Sequence, residues 1–365
     1  MKRPVALVLG PSREAMSGVT THVNLLLGSR LADDYALWHF QVGSEGRDEG
    51  AWARWLRLAA SPWQLAATLL RLEAEIVHVN SSLNARAYWR DLAYIAVAKL
   101  CGAKVLYQVH GGALPQKFFR LAPSFLRAAL RWPDALVVLA HVELQAYQAF
   151  GVPALVVPNG IDCTLFTRYN RAPADAGAPL KLAYVGRLAP EKGLYETFEA
   201  LVLLRESGTA ARLVVAGSGP EEARLRSRVR ELKLQKDVSF VGALEGDQKA
   251  RLLNQSDVLL LASYSEGLPY ALLEGMAAGA VPVASPVGAI PDVMHDGVHG
   301  LLVPARQSAP IARALAWLAG DRAALARMSA ACRKRIAAGY SIERVAAELS
   351  GVYNRLVPCA ASQAG

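Results

Sequence analysis

Cysteine is sparse, carboxylates are outnumbered and no apolar run is long; each shortage excludes a class of protein. The four cysteines, Cys101, Cys163, Cys332 and Cys359, are scattered with no CxxC pair among them. That spacing argues against a structural zinc site and a disulfide framework, and it suits a reducing cytoplasm. No apolar segment is long enough to cross a bilayer. The opening MKRPVALVLG carries two positive charges and then a short apolar run. That run is too short for a signal h-region and reads as a first buried strand. Carboxylates number 31 against 40 basic residues, for a net charge of +9. Such a balance suits acidic partners (nucleotide phosphates, nucleic acid or an anionic membrane) or reflects a compositional bias toward Arg and Ala. No nucleic-acid-binding motif accompanies the charge, so nucleic acid is not expected as a partner.

What is present is globular: 53% hydrophobic residues, 19% charged and 29 glycines over 365 residues. Neither disorder nor coiled coil fits, and the length suits two domains. Apolar strand-like runs such as VALVLG, IVHVNS, KVLYQVHGG and ALVVLA alternate with helical spacing up to ALVVPNGID, which ends in a turn near Asp162. A looser stretch, TRYNRAPADAGAPLK (167–181), reads as a linker. The alternation then restarts with LKLAYVGRL, ARLVVAGSG, VSFVGAL, VLLLAS and VPVAS, and the chain closes on helices. Continuous Val/Leu/Ile runs between helices imply parallel sheets buried on both faces. The expected architecture is therefore α/β, with two doubly wound parallel-sheet domains.

Ligands of such sheets bind at the carboxyl ends of the strands, where helix N-termini favour phosphate. Four exit loops stand out. SGVTTHV (17–23) precedes the first helix, and Gly18 would let backbone approach a phosphate, although a glycine before a helix is by default a turn residue. VHGG (109–112) sets His110 at a strand end beside two flexible residues, for either a structural or a functional role. GRLAPEKG (186–193) supplies Arg187 and Lys192 from one loop, a fork and a point charge suited to a diphosphate. SEGLPYALLEG (265–275) places Glu266 in an exit loop and Glu274 about a turn and a half into a helix that Pro269 would open. On spacing alone two readings of these carboxylates stand level. They hold ribose and hexose hydroxyls, or Glu266 caps the helix while Glu274 is half exposed.

Together SGV, VHGG, VPNGID, GRLAPEKG, AGSGP, SEGLPYALLEGMAAGAVPVAS and GAIPDVMHDGVHGLLVP resemble the family-4 retaining glycosyltransferases of the GT-B fold (glycosyl transferases group 1). The resemblance covers nearly the whole chain and is most specific in its second half. It implies two Rossmann-like domains facing across a cleft. Residues 1–165 would bind the acceptor, 178–340 the donor, and the helix at about 341–357 would pack back on the first domain. It implies a UDP- or GDP-sugar donor, a glycan or lipid-linked acceptor, and no cofactor or required metal; no DxD cluster lies near a strand end. By this likeness Arg187 and Lys192 bind the diphosphate, Glu266 faces the donor sugar and Glu274 the ribose. Gly267, Leu268 and Pro269 lie beside sugar hydroxyls or phosphate, and His110 lies near the donor sugar. Gly18, Gly186 and Gly217 belong to loops near the donor, and Val241 to Leu244 form the base-binding edge. His110, Arg187, Lys192 and Glu266 are the expected catalytic set. Two departures stand out: Ser17-Gly18 where relatives have adjacent glycines, and Asp292 where Glu is common.

A membrane reading competes with a bland one. From Leu92 to Pro133 there is no acidic residue but six basic ones, and QKFFRLAPSFLRAALRW mixes them with aromatics. AWARWLRLAASPW adds Trp52, Trp55 and Trp63 with Arg54 and Arg57. Such stretches suit an anionic interface, so a cytoplasmic protein peripheral on the inner face of the membrane is one expectation. Ordinary helices with core-facing aromatics are the other. Among functions, the alternative to a transferase is a non-catalytic nucleotide-sugar-binding subunit. Nucleotide-sugar epimerisation fits the EGLP segment less well. A dinucleotide-dependent dehydrogenase lacks support, because GSGPEE is not a full GxGxxG.

Overall fold

The computed structural model describes residues 3–44, 47, 49–83, 85–111, 123–169 and 177–358. The chain forms two compact units: 1–160 with 342–365, and 161–341. The change of unit thus falls before the stretch expected to be the linker, of which residues 170–176 lie outside the described ones.

The first unit is built on six parallel strands: β1 (Val5–Gly10), β2 (Ala36–Gln41), β3 (Ile76–Ser81), β4 (Lys104–Val109), β5 (Ala135–Val138) and β6 (Leu155–Val156). Their order across the sheet is β2-β1-β3-β4-β5-β6. Alternate side chains of β1 serve opposite faces, as the two-residue period of a strand requires. Val5, Leu7 and Leu9 pack with Leu65 and Leu69 of the helix Ala51–Leu72 and with Tyr94 and Ile95 of the helix Ala85–Leu100. Ala6 and Val8 pack with Val23 and Leu26 of the helix Gly18–Leu27, and with Val345, Leu349 and Tyr353 of the helix Ile342–Leu356. The last helix of the chain therefore belongs to this unit. Burying each such Leu or Val stabilises by about 1.5–3 kcal/mol.

The second unit repeats the plan with β7 (Leu180–Val185), β8 (Ala211–Ala216), β9 (Val238–Gly242), β10 (Val258–Leu261), β11 (Val281–Ala284) and β12 (Leu301–Leu302). The order is β12-β11-β10-β7-β8-β9, all parallel. Winding runs outward from β7 through β8 to β9, then returns to β10 on the other side of β7. The carboxyl ends of β7 and β10 therefore flank a topological switch point, where exit loops diverge and leave room for a ligand. In the first unit the equivalent point lies between β1 and β3. Among the described residues no helix is long and apolar enough to cross a membrane.

Candidate functional site

The switch point of the second unit is where the charged candidates meet. Lys192 leaves the β7 loop and Glu266 the β10 loop, and Lys192 Nζ donates to Glu266 Oε1 at 2.8 Å with both side chains mostly buried. Backbone bonds fasten the loops to one another: Leu188 N to Ser218 O (2.8 Å), Tyr264 N to Glu191 O (2.8 Å) and Ala289 N to Gly267 O (2.8 Å). Tyr184 Oη donates to Arg187 O at 2.7 Å and fixes the start of the β7 loop. Two glycines are required here. Gly193 has φ +68°, and a Cβ on it would sit 2.0 Å from Ala262 O. Gly288 has φ +56°, and its Cβ would sit 2.1 Å from Glu266 O. Any larger residue at either would push the β10 loop away.

Arg187 is exposed and pairs with Glu191 at 3.1 Å. Its guanidinium faces water, where an ion pair is weak and a stronger anion can displace the carboxylate. Gly217 lies on Gly186, and a Cβ there would meet Gly186 O at 1.8 Å, so the β7 and β8 exits are in backbone contact. Val241 is exposed at the end of β9 and Leu244 half-buried beyond it. Leu268 is buried beneath the β10 loop, with Gly267 half-buried beside it.

Glu274 is not close to exposed, as the bland reading had it. Its helix is Tyr270–Ala278, Pro269 being the residue before the first helical one with extended ψ 126°. Glu274 is buried, and Lys249 of the helix Gly246–Gln255 donates to its Oε1 at 2.6 Å. The spacing of the sequence did not point to Lys249. Tyr270 Oη is buried without a hydrogen-bond partner, and burial together with the Glu274 charge holds the phenol far above its ordinary range. Ser263 and Ser285 hydroxyls, at the ends of the strand segments of β10 and β11, are likewise buried and unpartnered. The two glutamates thus each have a lysine, and neither forms an acid/base pair with the other.

The first unit places its candidates around histidine. Ser17 is the N-cap of the helix Gly18–Leu27, and its hydroxyl accepts from Thr20 N at 3.2 Å. It does so with φ −144°, so a second glycine is not needed where this chain departs from its relatives. Gly18 is exposed in the first turn. His110, at the exit of β4, has its Nε2 2.7 Å from Asn80 Oδ1, and Asn80 Nδ2 donates to Leu9 O at 3.1 Å. Gly112, the other flexible residue expected beside it, lies outside the described residues.

His22, from the helix that Gly18 opens, stacks edgewise on His110 with ring centres 4.6 Å apart. Neither of its ring nitrogens makes a hydrogen bond of ordinary geometry. His78 in β3 follows at 6.3 Å, bonded to Gln108 (2.9 Å) and to Tyr353 Oη (3.0 Å). Burial drives all three imidazoles neutral. His22 is lowered to about 4 and His78 to about 3, the latter also by its histidine neighbour. His110 falls well below its ordinary value through burial and the two other histidines, partly offset by Asn159. His22 and His78 are additions the sequence motifs did not single out, though a His inside the apolar strand IVHVNS is itself a sign of a satisfied buried group. Among the described residues no three His, Cys, Asp or Glu side chains are grouped to hold a metal ion.

Comparison with known proteins follows the same division. A model of glycosyl transferases group 1 matches residues 167–335, and a model of glycosyltransferase family 4 matches residues 42–165. A glycogen synthase of Mycobacterium tuberculosis is 31% identical over 229 residues, 61% of this chain and 55% of that protein. The chain thus matches about half the length of that relative. The putative colanic acid biosynthesis glycosyltransferase WcaL of Escherichia coli is 29% identical over 321 residues, 84% of this chain and 76% of the other. The structure of Anabaena Alr3699/HepE in complex with UDP superimposes with a TM-score of 0.76 at 15% identity, over 97% of this chain and all of that one.

Proposed function

Because the chain belongs to the family-4, group-1 glycosyltransferases and has their GT-B fold, we propose that it moves a hexose-type sugar, with retention and without a required metal, from a UDP- or GDP-sugar to a glycan or lipid-linked acceptor. Assembly of a bacterial surface polysaccharide is the setting that relatives such as WcaL support. HepE was solved with UDP and with UDP-glucose, which favours a uridine donor to be tried first.

The observation that carries this reading is the Lys192–Glu266 pair at the β7–β10 switch point, with Arg187 on the same loop. A diphosphate arriving there carries more negative charge than either carboxylate. It takes Lys192 from Glu266 and Arg187 from Glu191, and the freed Glu266 then accepts from a sugar hydroxyl. Glu274, held by Lys249, accepts from the ribose. As the glycosidic bond breaks, charge builds on the leaving phosphate, and two pre-positioned cations stabilise it. The leaving oxygen takes the acceptor's proton on the face the sugar departs from, so configuration is kept and no protein nucleophile is needed. His110 is neutral, which suits it to hydrogen bonding with a hydroxyl and not to neutralising phosphate.

A thermal-shift screen of UDP, GDP and ADP and their sugars, followed by donor hydrolysis or transfer by the purified chain, tests the reading. Stabilisation by one nucleoside diphosphate with turnover of its sugar is expected. Stabilisation without any turnover would favour the non-catalytic subunit, and no stabilisation would remove both.

A further inference from the structure

The helix Ala51–Leu72 has two apolar faces, and only one of them is used by the fold. At 100° per residue, Leu58, Leu65 and Leu69 point one way, and Leu65 and Leu69 are buried in the first unit's core. Trp52, Trp55, Leu56, Trp63 and Leu70 fall within a separate arc. They are 83%, 71%, 70%, 79% and 67% exposed. Three tryptophans on one outward stripe are not core-facing aromatics, which sets aside the bland reading of this segment. The stripe runs about 27 Å along the helix axis. The helix packs against Ala85–Leu100, whose Trp89 stacks over Phe125 with ring centres 6.1 Å apart. Trp89 and Phe125 are about half exposed too. Residues 117–122 of the second basic-aromatic stretch lie outside the described residues.

Charge selects the occupant. The helix AWARWLRLAASPWQLAATLLRL contains three arginines and no carboxylate. Glu49, just before it, takes Arg57 and stands 3.9 Å from Arg54, while Arg71 is exposed at the far end. At 100° per residue Arg54 and Arg57, which share Glu49, lie on the other side of the helix from the stripe, and Arg71 flanks it. The helix carries no carboxylate, so the outward face offers indoles and a cation and no anion, which an anionic surface meets favourably. Indole rings suit a boundary that is apolar on one side and wet on the other, and the exposed Arg71 beside them suits lipid phosphate.

We propose that this face of the helix Ala51–Leu72 docks on an anionic lipid bilayer, lying in its interface with Trp52, Trp55 and Trp63 inserted. The inference goes beyond the transfer reaction and stands or falls separately from it. The test is co-sedimentation of the full chain with phosphatidylglycerol-containing vesicles and with pure phosphatidylcholine vesicles. The chain is expected to pellet with the first far more than with the second, and less as salt rises. The variant W52S/W55S/W63S is expected to lose at least roughly ten-fold in partitioning. Arg71→Gln is expected to lose about five-fold on anionic vesicles alone. Both alter exposed residues, so their unfolding midpoints and nucleotide-induced thermal shifts should match the parent's. Negligible pelleting of the parent, or undiminished pelleting of the triple variant, overturns the inference. So does a parent dimer that the triple variant turns into a monomer without any vesicle binding. A chain that pellets as expected but responds to no nucleoside diphosphate would keep the inference and remove the proposed function.

Discussion

At the ends of β7 and β10 the second unit pairs lysines with glutamates, whereas around the ends of β3 and β4 the first unit gathers three neutral histidines. Lys192–Glu266 and Lys249–Glu274 are ion pairs with one partner each and little access to water. Among the described residues no carboxylate pairs with His22, His78 or His110, so desolvation decides and they stay neutral. The lesson is that burial alone does not set the character of a site. A buried lysine beside a buried glutamate is a preset charge that an anionic ligand can redirect. A buried histidine cluster is a set of hydrogen-bonding groups whose charge is spent only at acid pH.

Breaking the charged side should have the largest effect. Lys192→Ala removes the cation the leaving diphosphate needs, and turnover should fall by about 10²–10³-fold. The unfolding midpoint should fall less than when Lys249 is removed, since Glu266 lies in an exit loop and is 11% exposed against 5% for Glu274. Turnover near the parent's in a folded variant would contradict the role.

Breaking the other pair should cost stability before chemistry. Lys249→Met leaves Glu274 buried without its partner, at a cost of about 3 kcal/mol. For a unit of this size that lowers Tm by roughly 6–12 °C. Denaturant unfolding measures it, and the double change Lys249→Met with Glu274→Leu should recover most of the loss. A single-variant cost near zero would show that Glu274 does not depend on Lys249.

Acid should unmake the neutral side. The folded His22 and His78 bind protons only near pH 4 and 3, while unfolded histidine binds near 6.5. Stability is therefore complete above pH 6.5 and is lost as pH falls from there toward 4 and then 3. At pH 5 the loss is about 2 kcal/mol per histidine. His22→Leu should flatten part of that slope in urea titrations taken from pH 7.5 to 5. An unchanged slope would mean that His22 is protonated in the fold.

The smallest effect should come from Arg187. Its pair with Glu191 is exposed, so Arg187→Gln should change stability by under about 1 kcal/mol. Its consequence should fall on donor KM, read from initial rates. A large drop in Tm would mean that Arg187 holds the loop and not the ligand.

Much of this was legible in the sequence because it depends on local pattern. Apolar runs between helices betray parallel strands, and loops after them name the switch point, so Arg187, Lys192, Glu266 and Glu274 could be singled out by position. The partners could not. Lys249 sits in GDQKARLLNQ, a helix whose polar composition looks like surface, and only the packing of two helices brings it to Glu274. Tyr353 meets His78 across 275 residues of chain, because the last helix returns to the first unit's sheet. Pro269 suits a first helical position by residue type, yet it precedes the helix by one residue, because its extended ψ is a property of the backbone alone. The exposed tryptophans were visible as composition, but which way they face is a property of the folded helix.

If Lys192 is a preset charge for a diphosphate, calorimetric titration will show it. Parent chain and Lys192→Ala would each be titrated with UDP, GDP and the corresponding monophosphates. The parent is expected to bind one diphosphate at least roughly ten-fold more tightly than its monophosphate, and Lys192→Ala to lose most of that preference while keeping its fold. Equal binding of diphosphate and monophosphate by the parent, or a preference untouched by the substitution, would contradict it.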